Sequence, residues 1–270
     1  MTIKKLSIAV TFYYVEHRVQ YLKKIATHFH SFAEEVEIHV FTNIKNDDIS
    51  PSVAELVNQG RDLSVTVHTW TNGGNPEFLA WAHVEFFKNQ LEQDNSITHY
   101  MYLEDDMYIT PDNIEYWLEK REYLRDVKLL PSFLRYEQQE GTDDFRATEI
   151  WETESFETIP KLKQSENYYY LSFKVPYSAM YLFDQELLKE WLNSSSSVHT
   201  YNHPWGIREQ AASGLSWVNV PEGFRSRHVI GYDYTNKKID PRCLIHHTPN
   251  NYANMPGVIA GKIKINDLIY

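Results

Sequence analysis

Apolar positions along the chain switch between two periods. Lys-Leu-Ser-Ile-Ala-Val at residues 5–10 is a short apolar run that passes into Thr11-Phe12-Tyr13-Tyr14, and it reads as a strand. Val19, Leu22, Ile25, Ala26 and Phe29 then recur at helical spacing, with basic residues between them. Residues 36–41 form a second apolar run closing at Thr42-Asn43. Ser50-Pro51 opens a helix through Val53, Leu56 and Val57 that stops near Gly60. Residues 63–70 alternate in part and predict a third strand. A turn, Thr71-Asn72-Gly73-Gly74-Asn75, precedes Pro76, which begins a helix carrying Phe78, Leu79, Ala82, Phe86 and Leu91. A fourth strand starts at His99.

The first 110 residues thus read β-α-β-α-β-α-β, which predicts a mostly parallel sheet with helices on both faces. Ligands of such sheets sit beyond the carboxyl ends of the strands. Those ends are Thr11-Phe12-Tyr13, Thr42-Asn43, Thr71-Asn72 and Glu104-Asp105-Asp106. The last is the anomaly of the chain. Three consecutive acids sit inside the apolar, aromatic run from His99 to Ile109, where an unpaired buried charge is costly. Either a divalent cation neutralises them, since carboxylate oxygens are its natural hard ligands, or they cap the helix that Thr110-Pro111-Asp112 begins. Their place at the ligand end of the sheet favours the cation.

The second half is less regular. It predicts a helix over 111–124, a strand over 127–136, a long loop or hairpin over 137–165 and a strand over 167–175. A strand over 178–183 leads into a helix over 185–192 that Asp184 starts. A helix over 205–212 ends at Gly214, and a strand follows over 217–220. The tail carries His228, His246 and His247. No internal repeat or separating linker stands out. The expected architecture is one α/β domain over 1–270, with a ligand-binding half at 1–110 and a second half at 111–270.

Composition narrows the partners. A chain of 270 residues is long enough for a full core. Its net charge of −11 argues against nucleic acid or an anionic membrane as the main partner, yet leaves room for a nucleotide received through a metal. The single cysteine, Cys243, cannot form an internal disulfide, which suits a reducing compartment. No run of about eighteen apolar residues marks a membrane span, and the first residues lead straight into a strand, so a cytoplasmic location is expected. The aromatic share of 14% slightly favours stacking on sugars or bases.

Four features together resemble the GT-A glycosyltransferases, enzymes that transfer a sugar from a nucleotide donor. These are the β-α-β start at residue 5, the Glu104-Asp105-Asp106 form of the family's Asp-X-Asp motif, the strand Ser178-Ala179-Met180-Tyr181-Leu182-Phe183 before a helix, and the helix Arg208-Glu209-Gln210-Ala211-Ala212-Ser213-Gly214-Leu215. The resemblance spans about residues 5–250. It implies the GT-A form of the mixed, mostly parallel sheet. It implies a metal-dependent transferase that moves sugar from a UDP- or GDP-sugar to a hydroxyl of a carbohydrate or glycoconjugate acceptor, as in polysaccharide synthesis. Mn²⁺ or Mg²⁺ would bridge the donor phosphates and stabilise the leaving group.

The same resemblance implies the roles. Asp106 is the first metal ligand. His247 or His246 is a further one, and only one of them reaches the metal because neighbours on a strand face opposite ways. Asp105 and Glu104 hold the donor ribose or orient a basic residue; Glu104 departs from the family's aspartate. Glu209 is the general base of an inverting transfer. Thr11, Phe12 and Tyr13 hold the nucleobase, and Asn72 and Asn75 lie next along the donor.

Two rivals remain. A sugar-phosphate nucleotidyltransferase would carry a glycine-rich basic loop where this chain has Thr11-Phe12-Tyr13-Tyr14. A non-catalytic carbohydrate-binding protein would keep the aromatics without needing Asp106 and Glu209 together.

Overall fold

The computed structural model describes residues 2–44, 49–70 and 74–270. The chain divides into two compact units, one of residues 1–107 with 179–215, the other of 108–178 with 216–270. The segment 179–215, placed by sequence with the second half, thus returns to the first unit.

The first unit is built on a five-stranded sheet. Its strands are β1 (Lys5–Phe12), β2 (Glu35–Thr42), β3 (Ser64–Thr69), β4 (His99–Glu104) and the strand Met180–Asp184. The spatial order is Met180–Asp184, β4, β1, β2, β3. β1 to β4 are mutually parallel, and Met180–Asp184 is antiparallel to β4. β1 lies centrally and is apolar on both faces: Leu6, Ile8, Ala9, Val10 and Phe12 are fully buried, as a strand covered on both sides requires. β3 is the edge, and its residues are half-buried or exposed. The register pairs Thr11 with Glu104 and Phe12 with Thr42, so the strand ends align at one rim.

Helices α1 (Val19–Ile25), α2 (Ser50–Asn58) and α3 (Ala82–Gln93) connect the parallel strands. The helix expected from Pro76 starts as a 3₁₀ turn, Pro76–Trp81, and becomes α-helical at Ala82. Asn75 caps this turn: its Oδ1 accepts from Glu77 N at 3.0 Å. Aromatic packing fixes α3 and the helix Gln185–Leu192 to the sheet. His83 stacks parallel to Trp191 at 5.6 Å and lies 4.2 Å from Tyr102, while Tyr181 stacks on Phe183 at 4.3 Å. Gly214, at φ +53°, ends the 207–212 helix region against this cluster; a Cβ there would sit 2.9 Å from Phe183 Cζ.

The second unit holds α4 (Pro111–Leu124). The capping expectation for the acids fails here, because Asn113 Oδ1 accepts from Thr110 N at 2.8 Å and that local pair starts the helix. An antiparallel sheet runs Lys238–Ile239, His228–Asp233, Tyr168–Leu171, Lys161–Ser165. A second sheet pairs Leu134–Gln138 with Phe145–Ala147 on one side and Leu244–His247 on the other. Residues 137–165 therefore contain two strands. The strand expected over 127–136 breaks into Leu130–Pro131 and Leu134–Gln138, since Pro131 has no N–H to continue a ladder. The strand expected over 217–220 is absent: this short run turns instead, with Asn219 in the left-handed region at φ 53°. Among the described residues no helix is long and apolar enough to cross a membrane.

Candidate donor-binding site

At the rim of the first unit, beyond the ends of β1 and β4, lies a cavity of about 230 Å³. Thr11, Tyr13, Arg18, Pro76, Glu77, Leu79, Ala80, Tyr102, Glu104, Asp105 and Arg208 line it. Alternation along an extended chain explains why Thr11 and Tyr13 face this space. Phe12 between them is fully buried and packs edge-on against Tyr14 at 5.9 Å. Tyr14 N in turn donates to Asn43 Oδ1 at 2.7 Å, which ties the ends of β1 and β2 together.

The three acids are 3–4% exposed, and arginines meet them. Arg18 Nε donates to Asp105 Oδ2 at 2.8 Å, and Arg18 Nη2 donates to Asp105 Oδ1 at 2.5 Å and to Asp106 Oδ2 at 2.8 Å. Arg208 Nη2 donates to Glu104 Oε2 at 2.8 Å. The planar guanidinium fork is suited to such two-point pairing. Burial is the largest influence on Asp105 and raises its carboxyl above the usual carboxylate range; Arg18 opposes the shift, and the charges of Asp106 and Glu104 add to it. Burial works against the Arg18 charge, but the hydrogen bonds and charges of Asp105 and Asp106 outweigh it and raise its pKa. Tyr102 is held in its neutral form by burial and by the Glu104 charge.

The donor chemistry here suits a hard divalent cation, being a run of carboxylate oxygens. Among the described residues, however, no three His, Cys, Asp or Glu side chains converge as a ready cation cage. The arginines hold all three carboxylates instead, Asp105 in a fork and Asp106 and Glu104 by single hydrogen bonds. Sequence reasoning missed both arginines. The signal was present: three buried acids demand counter-charge, and Arg18 follows shortly after β1, whose end lies beside them in the sheet.

The other expected residues are distributed as follows. Glu209 is half-buried in the first turn of the helix Ile207–Ala212. Its carboxylate folds back over Gly206, where a Cβ would collide with it. Its neighbour Arg208, rather than Glu209, forms part of the cavity wall. That helix is anchored from the other side of the same unit, since Trp81 Nε1 donates to Ile207 O at 2.9 Å. Asn75 belongs to a separate hollow with Phe41, His68, Trp70, Phe78 and Trp81. Asn72 lies outside the described residues.

The two histidines sit in the second unit on the strand Leu244–His247, and they do face opposite ways. His246 stacks on Tyr136 at 5.0 Å, with Nε2 at 2.8 Å from Asn250 Oδ1. His247 is buried, with Nδ1 at 2.5 Å from Oε1 of Glu137. Glu137 is itself fully buried and also accepts from Ala253 N at 2.6 Å. His228 is a core residue, its Nδ1 near Ser132 Oγ at 3.2 Å and Ser216 Oγ at 3.1 Å. Arg135 and Arg225 are paired with Glu149 and Glu154.

No family model and no curated protein matches the chain. Solved structures do resemble it. TarS from S. aureus in complex with UDP-GlcNAc is 18% identical over 69% of this chain and 47% of its own, with a TM-score of 0.37. A longer TarS structure is also 18% identical, over 69% of this chain and 29% of its own, with a TM-score of 0.36. The mannosyltransferase PcManGT from Pyrobaculum calidifontis, in complex with GDP-Man and Mn²⁺, is 12% identical over 93% of this chain and 58% of its own, with a TM-score of 0.47. The chain thus spans less than two thirds of the length of each.

Proposed function

We propose that the protein is a nucleotide-sugar-dependent glycosyltransferase, with the donor bound at the rim of β1 and β4. The observation that carries this reading is the pairing of Arg18 with Asp105 and Asp106, and of Arg208 with Glu104, beside a cavity at the carboxyl end of a parallel sheet that Arg18, Arg208, Glu104 and Asp105 line. A ligand that satisfies both signs must present anionic oxygens to the arginines and hydroxyls or a bridging cation to the acids. A nucleoside diphosphate sugar does both. Thr11 and Tyr13 would receive the base, the tyrosine by stacking, and Glu104 the ribose. Asp106 and Asp105 would supply oxygen ligands to Mn²⁺ or Mg²⁺, which would offset charge on the departing diphosphate. The acceptor is a carbohydrate or glycoconjugate hydroxyl.

Glu209 would take the proton of that hydroxyl as it attacks the anomeric carbon, which gives inversion. The test is release of nucleoside diphosphate from UDP-sugars and GDP-sugars in the presence of Mn²⁺ and a panel of oligosaccharide acceptors. Acceptor-dependent release supports the reading; none from any donor overturns it.

A second reading, a carbohydrate-binding protein without catalysis, draws on one observation: Glu209 lies folded on Gly206, away from the cavity wall. Donor binding that persists without turnover in the wild type would favour it.

A further inference from the structure

Arg18 poses a question that the donor site leaves open. It occupies the same carboxylate oxygens that a cation would need, through three hydrogen bonds between 2.5 and 2.8 Å. It does so from a side chain that is 23% exposed and forms part of the cavity wall, whereas the side chains of Asp105 and Asp106 are 5% exposed. The guanidinium is therefore the movable member of the cluster and the carboxylates the fixed ones. Arg208 differs: it touches Glu104 by one nitrogen at 2.8 Å, and its side chain is 49% exposed.

We propose that Arg18 is an exchangeable counter-ion, which holds Asp105 and Asp106 in place until a divalent cation displaces it and which then pairs with the ligand's diphosphate. This rests on the glycosyltransferase reading and deepens it. The physical argument is charge balance. Without a ligand, a cation entering the acids would strand the guanidinium beside a second positive charge. With a diphosphate present, both cations have anionic partners, and the released guanidinium already borders the space where that ligand sits. Cation and nucleotide must then bind cooperatively, and the coupling must run through Arg18. Coupling of this kind is reciprocal by necessity.

The test measures Mn²⁺ binding by electron paramagnetic resonance, with no turnover needed, for wild type and Arg18→Met, each with and without UDP or GDP. For wild type, nucleotide tightens Mn²⁺ by about tenfold or more, within the usual span of coupling between sites. For Arg18→Met, Mn²⁺ alone binds about tenfold tighter than to wild type, and the gain from nucleotide largely disappears. Arg18→Lys, which keeps the charge without the fork, falls between the two and guards against a folding defect in the methionine variant. Equal or weaker Mn²⁺ binding by a folded Arg18→Met or Arg18→Lys overturns the proposal while leaving donor binding intact. Failure of the wild type to bind either nucleotide, with or without Mn²⁺, overturns the proposal, and failure to bind any nucleotide sugar overturns the donor reading with it.

Discussion

Arg18 grips Asp105 by both carboxylate oxygens, Nε to Oδ2 at 2.8 Å and Nη2 to Oδ1 at 2.5 Å, at the mouth of a cavity walled by the ends of β1 and β4. The relationship joins a residue just after the first strand to one just after the fourth. The parallel register that pairs Thr11 with Glu104 makes this possible.

Removing Arg18 leaves buried carboxylates without their main counter-charge. Breaking a buried pair costs about 3–5 kcal/mol. Arg18 is about a quarter exposed, so Arg18→Met should lose roughly 2–3 kcal/mol in metal-free buffer, by discounting that range for solvent screening. Urea denaturation measures it, and added Mn²⁺ should restore most of the loss. A loss that Mn²⁺ does not repair would mean that the acids do not receive the cation.

Glu209 as general base predicts a split between binding and chemistry. Glu209→Gln should lower turnover by about a hundredfold or more with donor affinity unchanged, because the group acts on the acceptor proton. Parallel loss of donor affinity and turnover would move Glu209 to a structural role at Gly206.

Gly214 is required by backbone and by space. Gly214→Ala places a Cβ at φ +53° and 2.9 Å from Phe183 Cζ. The left-handed conformation and the collision together should destabilise the protein by about 1–3 kcal/mol, read from the urea midpoint. A neutral result would show that the aromatic cluster yields locally.

Acid should weaken the fold through two buried histidines. Burial lowers His83 to about 3 and His228 to about 4, from an ordinary value of 6.5. Both stay neutral in the folded chain while the unfolded chain binds their protons below pH 6.5. Their contribution is therefore full above pH 6.5 and falls with pH between 6.5 and about 4 for both, and on to about 3 for His83 alone. The slope is about 1.4 kcal/mol per pH unit for each histidine. Denaturant midpoints at pH 7, 6 and 5 test this; His83→Gln should flatten the dependence.

Much of the first unit was legible because its signals are local. Apolar runs separated by helical periods located β1 to β4, and Gly60, Pro76 and Asp184 marked real turns and starts. The acids were legible as an anomaly, but their partners were not. An arginine's partner depends on strand order and register, and β1 neighbours β4 only after the chain has passed through β2 and β3. The second unit was harder for a related reason. Its strands are short, amphipathic stretches such as Lys161–Ser165, whose pairing with Tyr168–Leu171 is set by tertiary context. The run at 217–220 shows the reverse error, since an apolar string alone does not make a strand when Asn219 turns the backbone. His228 is buried among serine hydroxyls, and its sequence surroundings carry no mark of that.

The central claim is that this rim binds a nucleoside diphosphate sugar together with a divalent cation. The most direct measurement is unfolding stability against UDP-, GDP-, CMP- and dTDP-sugars, each with and without Mn²⁺. At about a hundred times its dissociation constant, a bound donor adds about 2.7 kcal/mol. The account predicts that at least one diphosphate-linked sugar stabilises the protein in the presence of Mn²⁺, more than without it, and that Asp106→Asn abolishes the difference. No stabilisation by any nucleotide sugar with Mn²⁺ present would contradict it.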